Sequence, residues 1–476
     1  MVNDESCLPP NIFWDFSKPM NFPKKKMNNF AATRATAAAA VTETRVSFHT
    51  KHVEYRIPEA ELALPTRLAR YGLSEVVNHL LGRETPVPFE FLHLGRIVTG
   101  SLRDLIARLQ LSTENVVFIE YQPAMSAPEQ GPPSFEAPDW ISCIDGGINN
   151  CCIVGCYDGI ARVLDRDSLT TELGSTGSVW HTAPIKAVAL VNADDGALAI
   201  TGSQDHTVVV WKADLSGVDG ASGKCTLTPR AVGAAHEGEV SCIAVDPERK
   251  FVCSGSWDKT AMLWSLLASD DDESSTNVVN QADGTDERSQ KRQKIEVEVP
   301  PRLKSVAMFE GHKDAVTGVA WASTRSLFTG SLDHNIVSWD VEAGEQLNVL
   351  YGSKAVTDLD YNPRCAMLAS SHPDHIVRVW DPRVGANEVA PIVLKSHTGW
   401  VTSVRWSNDS EWYLTSVSHD STIKVWDTRS SLPLHTITKA HSGKKILCVD
   451  WSHSSEILSG GTDNKTSCQV IPERSN

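Results

Sequence analysis

The chain has 476 residues, of which 41% are hydrophobic and 22% charged, with a net charge of −15. That length exceeds one ordinary core and calls for two or three folding units or a repeat array. There is no apolar run long enough to span a bilayer and no signal-peptide pattern at the start, and the negative charge argues against generic wrapping of nucleic acid.

Residues 1–43 carry "PKKK" and an alanine run and show no folding pattern, so a disordered tail is expected, with Met27 as an alternative start. Residues 44–122 follow a different grammar. "TRVSFHT" and "EYRIP" read as strands, and "GLSEVVNHLLG" places Leu73, Val76, Val77, Leu80 and Leu81 at helical spacing before Gly82. "FEFLHLG" and "VVFIEYQP" read as later strands, with "SLRDLIARLQ" a short helix between them. The order β-β-α-β-α-β is that of a small α+β, ubiquitin-like domain. No Gly-Gly ends it, so it is a built-in docking module and not a conjugated tag. A Pro-rich linker, 123–138, leads to Asp139–Trp140.

From there one sentence is written repeatedly. Asp158, Asp205, Asp258, Asp333, Asp374 and Asp420 are followed six residues later by Leu164, Trp211, Trp264, Trp339, Trp380 and Trp426. Asp463 starts a degenerate seventh copy with Gln469 in the Trp position. His181, His236, His312, His397 and His441 lie upstream of five copies, and blade 5 has Ser353 instead. This period and signature are those of WD repeats, each a four-stranded blade. Residues 139–476 are therefore expected to form a mainly β, seven-bladed propeller. The aspartate belongs in a tight turn, where it can join the histidine, the tryptophan and a Ser or Thr in a buried hydrogen-bond network. These groups are structural in this reading, and no catalytic residue is expected.

The eleven cysteines include one cluster, "CCIVGC" (Cys151, Cys152, Cys156), without zinc-site spacing, so buried reduced thiols and no metal are expected. Between the third and fourth copies an acidic, Ser/Asn-rich stretch at about 266–303 reads as a disordered insert. Its "KRQK", with Arg288, Lys291, Arg292 and Lys294, is a candidate nuclear-import signal.

The combination resembles the eukaryotic WD-repeat ribosome-biogenesis factors of the pescadillo complex. "RYGLSEVVNHLLG", "PVPFEFL", "LSTENVVFIEYQPA", "DWISCIDG", "GSWDK" with the insert after it, and "SHTGWVTSVRW" carry the likeness, over residues 44–471. The resemblance implies a non-enzymatic assembly factor of the large ribosomal subunit, acting in rRNA processing in the nucleolus and nucleoplasm, with no membrane contact. It implies as partners a block-of-proliferation-type WD protein with pescadillo, the pre-ribosomal particle, and midasin, a giant AAA ATPase. The family docks on midasin through an acidic side chain before the last strand of the ubiquitin-like domain. Glu114 is the matching position, with Glu120 as its nearest rival. Its carboxylate would complete the coordination of a Mg²⁺ held by the partner, so no cofactor is expected in the isolated chain.

Two other readings stand beside this one. The notchless-type assembly factors share the docking module but have an additional blade. "WDPR" (Trp380–Arg383) and "WDTR" (Trp426–Arg429) resemble the motif by which some propellers serve as substrate receptors of cullin ubiquitin ligases.

Overall fold

The computed structural model describes residues 43–472, apart from short loop stretches and the segments 216–223, 267–299 and 385–389. The tail up to residue 42, Glu114, and Arg288, Lys291, Arg292 and Lys294 of the insert lie outside the described residues. The chain divides into two compact units.

The first unit has strands β1 (Glu43–His49) and β2 (Glu61–Pro65), helix α1 (Arg70–Leu81), strands β3 (Phe89–His93) and β4 (Arg96–Ile97), helix α2 (Leu102–Leu109) and strand β5 (Val117–Pro123). Its sheet runs β2-β1-β5-β3-β4. At the centre β1 and β5 are parallel, with Val46 opposite Val117 and Phe48 opposite Ile119. Their alternation buries one face: Val46, Phe48, Val117, Ile119 and Tyr121 pack with Leu73 and Val77 of α1 and Leu102 and Leu105 of α2. Gly82 ends α1 in the left-handed conformation at φ 63°, donating to the carbonyls of Asn78 and His79. Ser101 and Asp104 form a reciprocal capping box on α2.

Two expectations change here. "EYRIP" is not a strand: Val53–Tyr55 is a 3₁₀ turn, and β2 follows it. Tyr121 explains the detour, since its hydroxyl donates to the Tyr55 carbonyl at 2.5 Å and accepts from the Ile57 N–H at 3.2 Å. The second change is an extra hairpin. Leu94 and Gly95 both have positive φ, 49° and 73°, which suits a tight turn joining twisted strands, and β4 pairs back on β3.

The second unit is seven four-stranded antiparallel sheets. Their inner strands are Ile141–Asp145, Ile185–Ala193, Val240–Val245, Val316–Ser323, Asp358–Asn362, Val401–Trp406 and Ile446–His453. Each inner strand packs on its neighbours in order and the last packs on the first, which closes the ring. Small residues permit the closure. A Cβ on Gly460 of blade 7 would stand 2.5 Å from Ile141 Cγ2 of blade 1.

Only three strands of blade 7 come from the carboxyl-terminal repeat. The fourth is β6 (Glu129–Gln130), paired with Thr466–Val470. Phe135 and Ala137 extend the seam, donating to Thr466 Oγ1 and to the Asn464 carbonyl. The stretch read as a linker thus supplies the outer edge of the last blade. The end of the insert is likewise engaged: Val232 donates to the Pro301 carbonyl and accepts from the Leu303 N–H, so Pro301–Leu303 adds to blade 2. In both cases an outer strand offers unpaired backbone groups that a passing segment satisfies.

Candidate interaction surfaces

Each blade is fixed by a relay that starts at an indole. In blade 2 the Trp211 N–H donates to Thr201 Oγ1 at 2.9 Å, and the Thr201 hydroxyl faces His181 Nε2 at 2.7 Å. His181 Nδ1 then lies 2.9 Å from Asp205 Oδ2. A carboxylate only accepts, so Nδ1 carries the proton and Nε2 accepts from the hydroxyl. The same relay joins Trp264, Ser254, His236 and Asp258 in blade 3. It joins Trp339, Thr329, His312 and Asp333 in blade 4, and Trp426, Ser416, His397 and Asp420 in blade 6. In blade 7 Ser459, His441 and Asp463 are joined without an indole; Gln469 donates to Ser467 instead.

Burial opposes ionisation of Asp205, but hydrogen bonds from His181 and Thr207 outweigh it and hold the carboxyl at about 2. Burial also lowers the imidazoles of His236 and His397 more than their aspartates raise them. A histidine–aspartate pair of this kind resembles a general-base dyad. The nitrogen that would serve a substrate is already occupied by a buried hydroxyl, so these pairs act in structure.

Blades 1 and 5 are wired differently. In blade 5 the imidazole is His372, which takes the place expected to be weakened by Ser353. His372 Nε2 accepts from Ser370, itself the acceptor of the Trp380 N–H, while Nδ1 donates to the Ala355 carbonyl at 2.8 Å. Burial, then Arg378, pushes the His372 pKa down to about 4. Asp374, released from an imidazole, grips Arg378 through two bonds of 3.1 and 2.6 Å. Asp158 of blade 1 holds Arg162 in the same fork, and Leu164 stands where the indole would be. The spelling Asp-x-x-x-Arg at both sites is the signal that could have found this.

The ring axis holds a group that the repeat pattern does not announce. Asp145, Asp358, Asp360 and Asp450 stand on the inner strands of blades 1, 5, 5 and 7, with Arg405 on that of blade 6. The carboxylates clamp neighbouring blades. Asp145 accepts from Leu190 N–H of blade 2, Asp360 from Trp406 N–H of blade 6, and Asp450 from Gly146 N–H of blade 1. Asp358 accepts from Val404 N–H and Ser403, and Arg405 lies 2.5 Å from it. Burial, then Asp450, raises Asp145 to about 6; burial raises Asp360 to about 6 despite Arg405.

The ten described cysteines are free thiols, and burial pushes Cys143, Cys156 and Cys242 up to about 12. Among the described residues no cluster of His, Cys, Asp or Glu is arranged to hold a metal ion. Glu120, the rival docking residue, pairs with Lys51 at 3.1 Å. Arg383 and Arg429 each fork onto the aspartate two residues earlier, Asp381 and Asp427. Both "WD-x-R" arginines therefore have partners within their own blades.

Comparison with known proteins covers both units. The NLE (NUC135) domain matches residues 44–106. The WD domain, G-beta repeat, matches at 175–212, 224–265, 303–340, 344–381, 391–427 and 431–468. Blade 1, without its tryptophan, lies outside these matches. The chain is 31% identical over 438 residues to "Ribosome biogenesis protein WDR12 homolog" of Oryza sativa subsp. japonica, covering 89% of this chain and 95% of that protein. A protein of the same name from Nematostella vectensis is 32% identical over 435 residues, 90% of this chain and 99% of its own. "Ribosome biogenesis protein YTM1" of Eremothecium gossypii is 29% identical over 444 residues, covering 89% and 96%.

Proposed function

Because the chain belongs to the WDR12/YTM1 family of ribosome biogenesis proteins, we propose that it is a non-enzymatic assembly factor of the large ribosomal subunit. It works in the nucleolus and nucleoplasm on the pre-ribosomal particle. The observation that carries this reading is end-to-end likeness: an α+β unit and a closed ring, in the same order, over nearly the full length of named biogenesis factors.

A rigid ring with relays buried inside its blades offers faces to partners and keeps its reactive-looking groups out of reach. The propeller scaffolds a complex with a block-of-proliferation-type WD protein and pescadillo. The first unit docks on midasin. In the sequence Glu114 precedes the last strand of this unit, and its carboxylate would supply an oxygen to a Mg²⁺ held by the partner, which prefers octahedral oxygen coordination.

The test is capture of the midasin adhesion domain by the full chain, with Mg²⁺ or with EDTA. Binding should require the metal, disappear in Glu114→Ala and be reduced but measurable in Glu114→Asp. Binding indifferent to both metal and Glu114 would overturn the carboxylate mechanism. The family assignment would stand, and release from the particle would need another account.

A further inference from the structure

One end of the ring carries two sets of loops: those entering each inner strand, and the turns between second and third strands. Backbone bonds tie the two sets together in six blades. Tyr157 donates to Trp140, Gln204 to Pro184, Trp257 to Glu239, Leu332 to Ala315, His419 to Trp400 and Thr462 to Lys445, each at 2.9 Å. Residues at these positions therefore share one face by register, whatever their chemistry.

Over blades 4 to 7 that face carries exposed lysines. Lys313, Lys354, Lys444 and Lys445 lie in these loops and are exposed. Among the described residues none has a carboxylate within ion-pair distance, and Glu310 and Asp314 are exposed acids near Lys313 in the chain. The turn aspartates Asp333, Asp420 and Asp463 keep their charge on this face, but their carboxylates are directed at imidazoles and not at the lysines. At the opposite end of the same blades the cations are arginines, and they are paired: Arg325 with Glu342 at 3.1 Å, Arg383 with Asp381 at 2.8 Å, Arg429 with Asp427 at 2.6 Å. On a chain of net charge −15 this arc thus presents lysines that no carboxylate pairs directly.

An aromatic platform stands within this arc. Trp400 of blade 6 is 55% exposed and stacks on His419, with planes 14° apart and centroids 6.0 Å apart. Lys445 of the next blade is near enough to His419 to act, after burial, in lowering its pKa. The platform and Lys445 thus stand on the same end of adjoining blades.

We propose that the loop-and-turn face of blades 4 to 7 binds a single-stranded segment of RNA, its phosphates on the lysines and a base stacked on Trp400. Lysines on several blades can each meet a phosphate of one strand. A flat exposed indole offers what nucleobases use and an acidic peptide does not. The net negative charge elsewhere confines the contact to this arc and disfavours wrapping of duplexes. The biological source of the RNA, a pre-ribosomal particle, rests on the function proposed above; the binding surface does not.

The test is fluorescence anisotropy of the full-length chain with a labelled oligouridine of ~12 nucleotides across a salt series. The wild type should bind, more weakly as salt rises. Lys444→Glu with Lys445→Glu should weaken binding about tenfold or more and flatten the salt slope by about 0.7 for each lost phosphate contact. Trp400→Ala should weaken it roughly fivefold with little change in slope, and Trp400→Phe should restore it. Trp412→Ala, at the opposite end of blade 6, should bind as wild type does. Thermal melting of each variant checks that the ring is intact. Absence of binding, or binding indifferent to these substitutions, overturns the proposal. So does displacement by polyglutamate with Trp400→Ala without effect, which would make the arc a site for an acidic protein segment. Co-sedimentation of the chain with pre-ribosomal particles is read in parallel: its loss overturns the assembly role, whereas its persistence without RNA binding overturns this inference alone.

Discussion

Ser254 accepts the Trp264 N–H and faces His236 Nε2, each within 2.8 Å, and is fully buried. Ser254→Ala removes one oxygen and leaves two buried polar groups without a partner. Each such orphan costs about 1–3 kcal/mol, so the variant should lose about 2–3 kcal/mol in urea unfolding. Trp264→Phe together with Ser254→Ala should cost less than the two single changes combined, because the indole N–H is then no longer stranded. A plainly additive double variant would show that the relay is not a unit. Blades 1 and 5 show that the relay can be rewritten. When the turn aspartate takes an arginine four residues on, the imidazole is supplied from elsewhere, as by His372, or is absent.

The elements are joined by a second repeated device. A hydroxyl at the start of an inner strand, or just before it, donates to a carbonyl opening the next blade: Ser241 to Val316 at 2.5 Å, Thr317 to Val356 and Thr357 to Val401 at 2.7 Å, Thr402 to Ile446 at 2.9 Å. Blade-to-blade contact is thus local and directional as well as apolar. The seam between blades 7 and 1 has a further bond of its own, since Arg166 reaches Glu456 at 2.8 Å. It also depends on β6, the shortest of its four strands. A fragment beginning at Asp139 should therefore melt roughly 5 °C or more below one beginning at Pro123, and a peptide of residues 124–138 added in trans should recover part of the loss. Equal melting temperatures would show that three strands suffice for blade 7.

For the ring as a whole the decisive charges are on the axis. Folded Asp145 and Asp360 keep their protons to about pH 6, whereas an unfolded aspartate releases its proton near 3.9. Between those values the folded chain binds more protons, so these two groups make the ring less stable as pH rises. Asp205 acts in the opposite sense: its folded value of about 2 lies below the unfolded one, so its contribution is present above about pH 4 and is lost as pH falls toward 2. Asp360→Asn should remove part of the decline between about pH 4 and 6. At neutral pH it should stabilise the chain by on the order of 1 kcal/mol, a figure reduced for screening by water along the axis. The check is urea unfolding at a series of pH values. An Asn variant with the same pH slope as wild type would mean that Arg405 already neutralises the site.

What was legible in the amino-acid order is what short-range spacing controls. The interval from aspartate to tryptophan placed the turn and the third strand of blades 2 to 6, and the period-3.6 pattern ending in Gly82 located α1. Both are readable because a tight turn and a helix are closed by residues a few positions apart. The rest depended on contacts between distant parts of the chain. Glu129–Gln130 became the fourth strand of blade 7 by pairing with Gln469 and Val470, more than three hundred positions away, and Phe135 bonds to Thr466 over a similar span. The four aspartates around Arg405 met because closing a ring brings inner strands from distant repeats to one axis. "EYRIP" gave up its strand because one tyrosine hydroxyl from β5 satisfied its backbone first. In each case the deciding partner lies far along the chain, where a repeat or a local period carries no information about it.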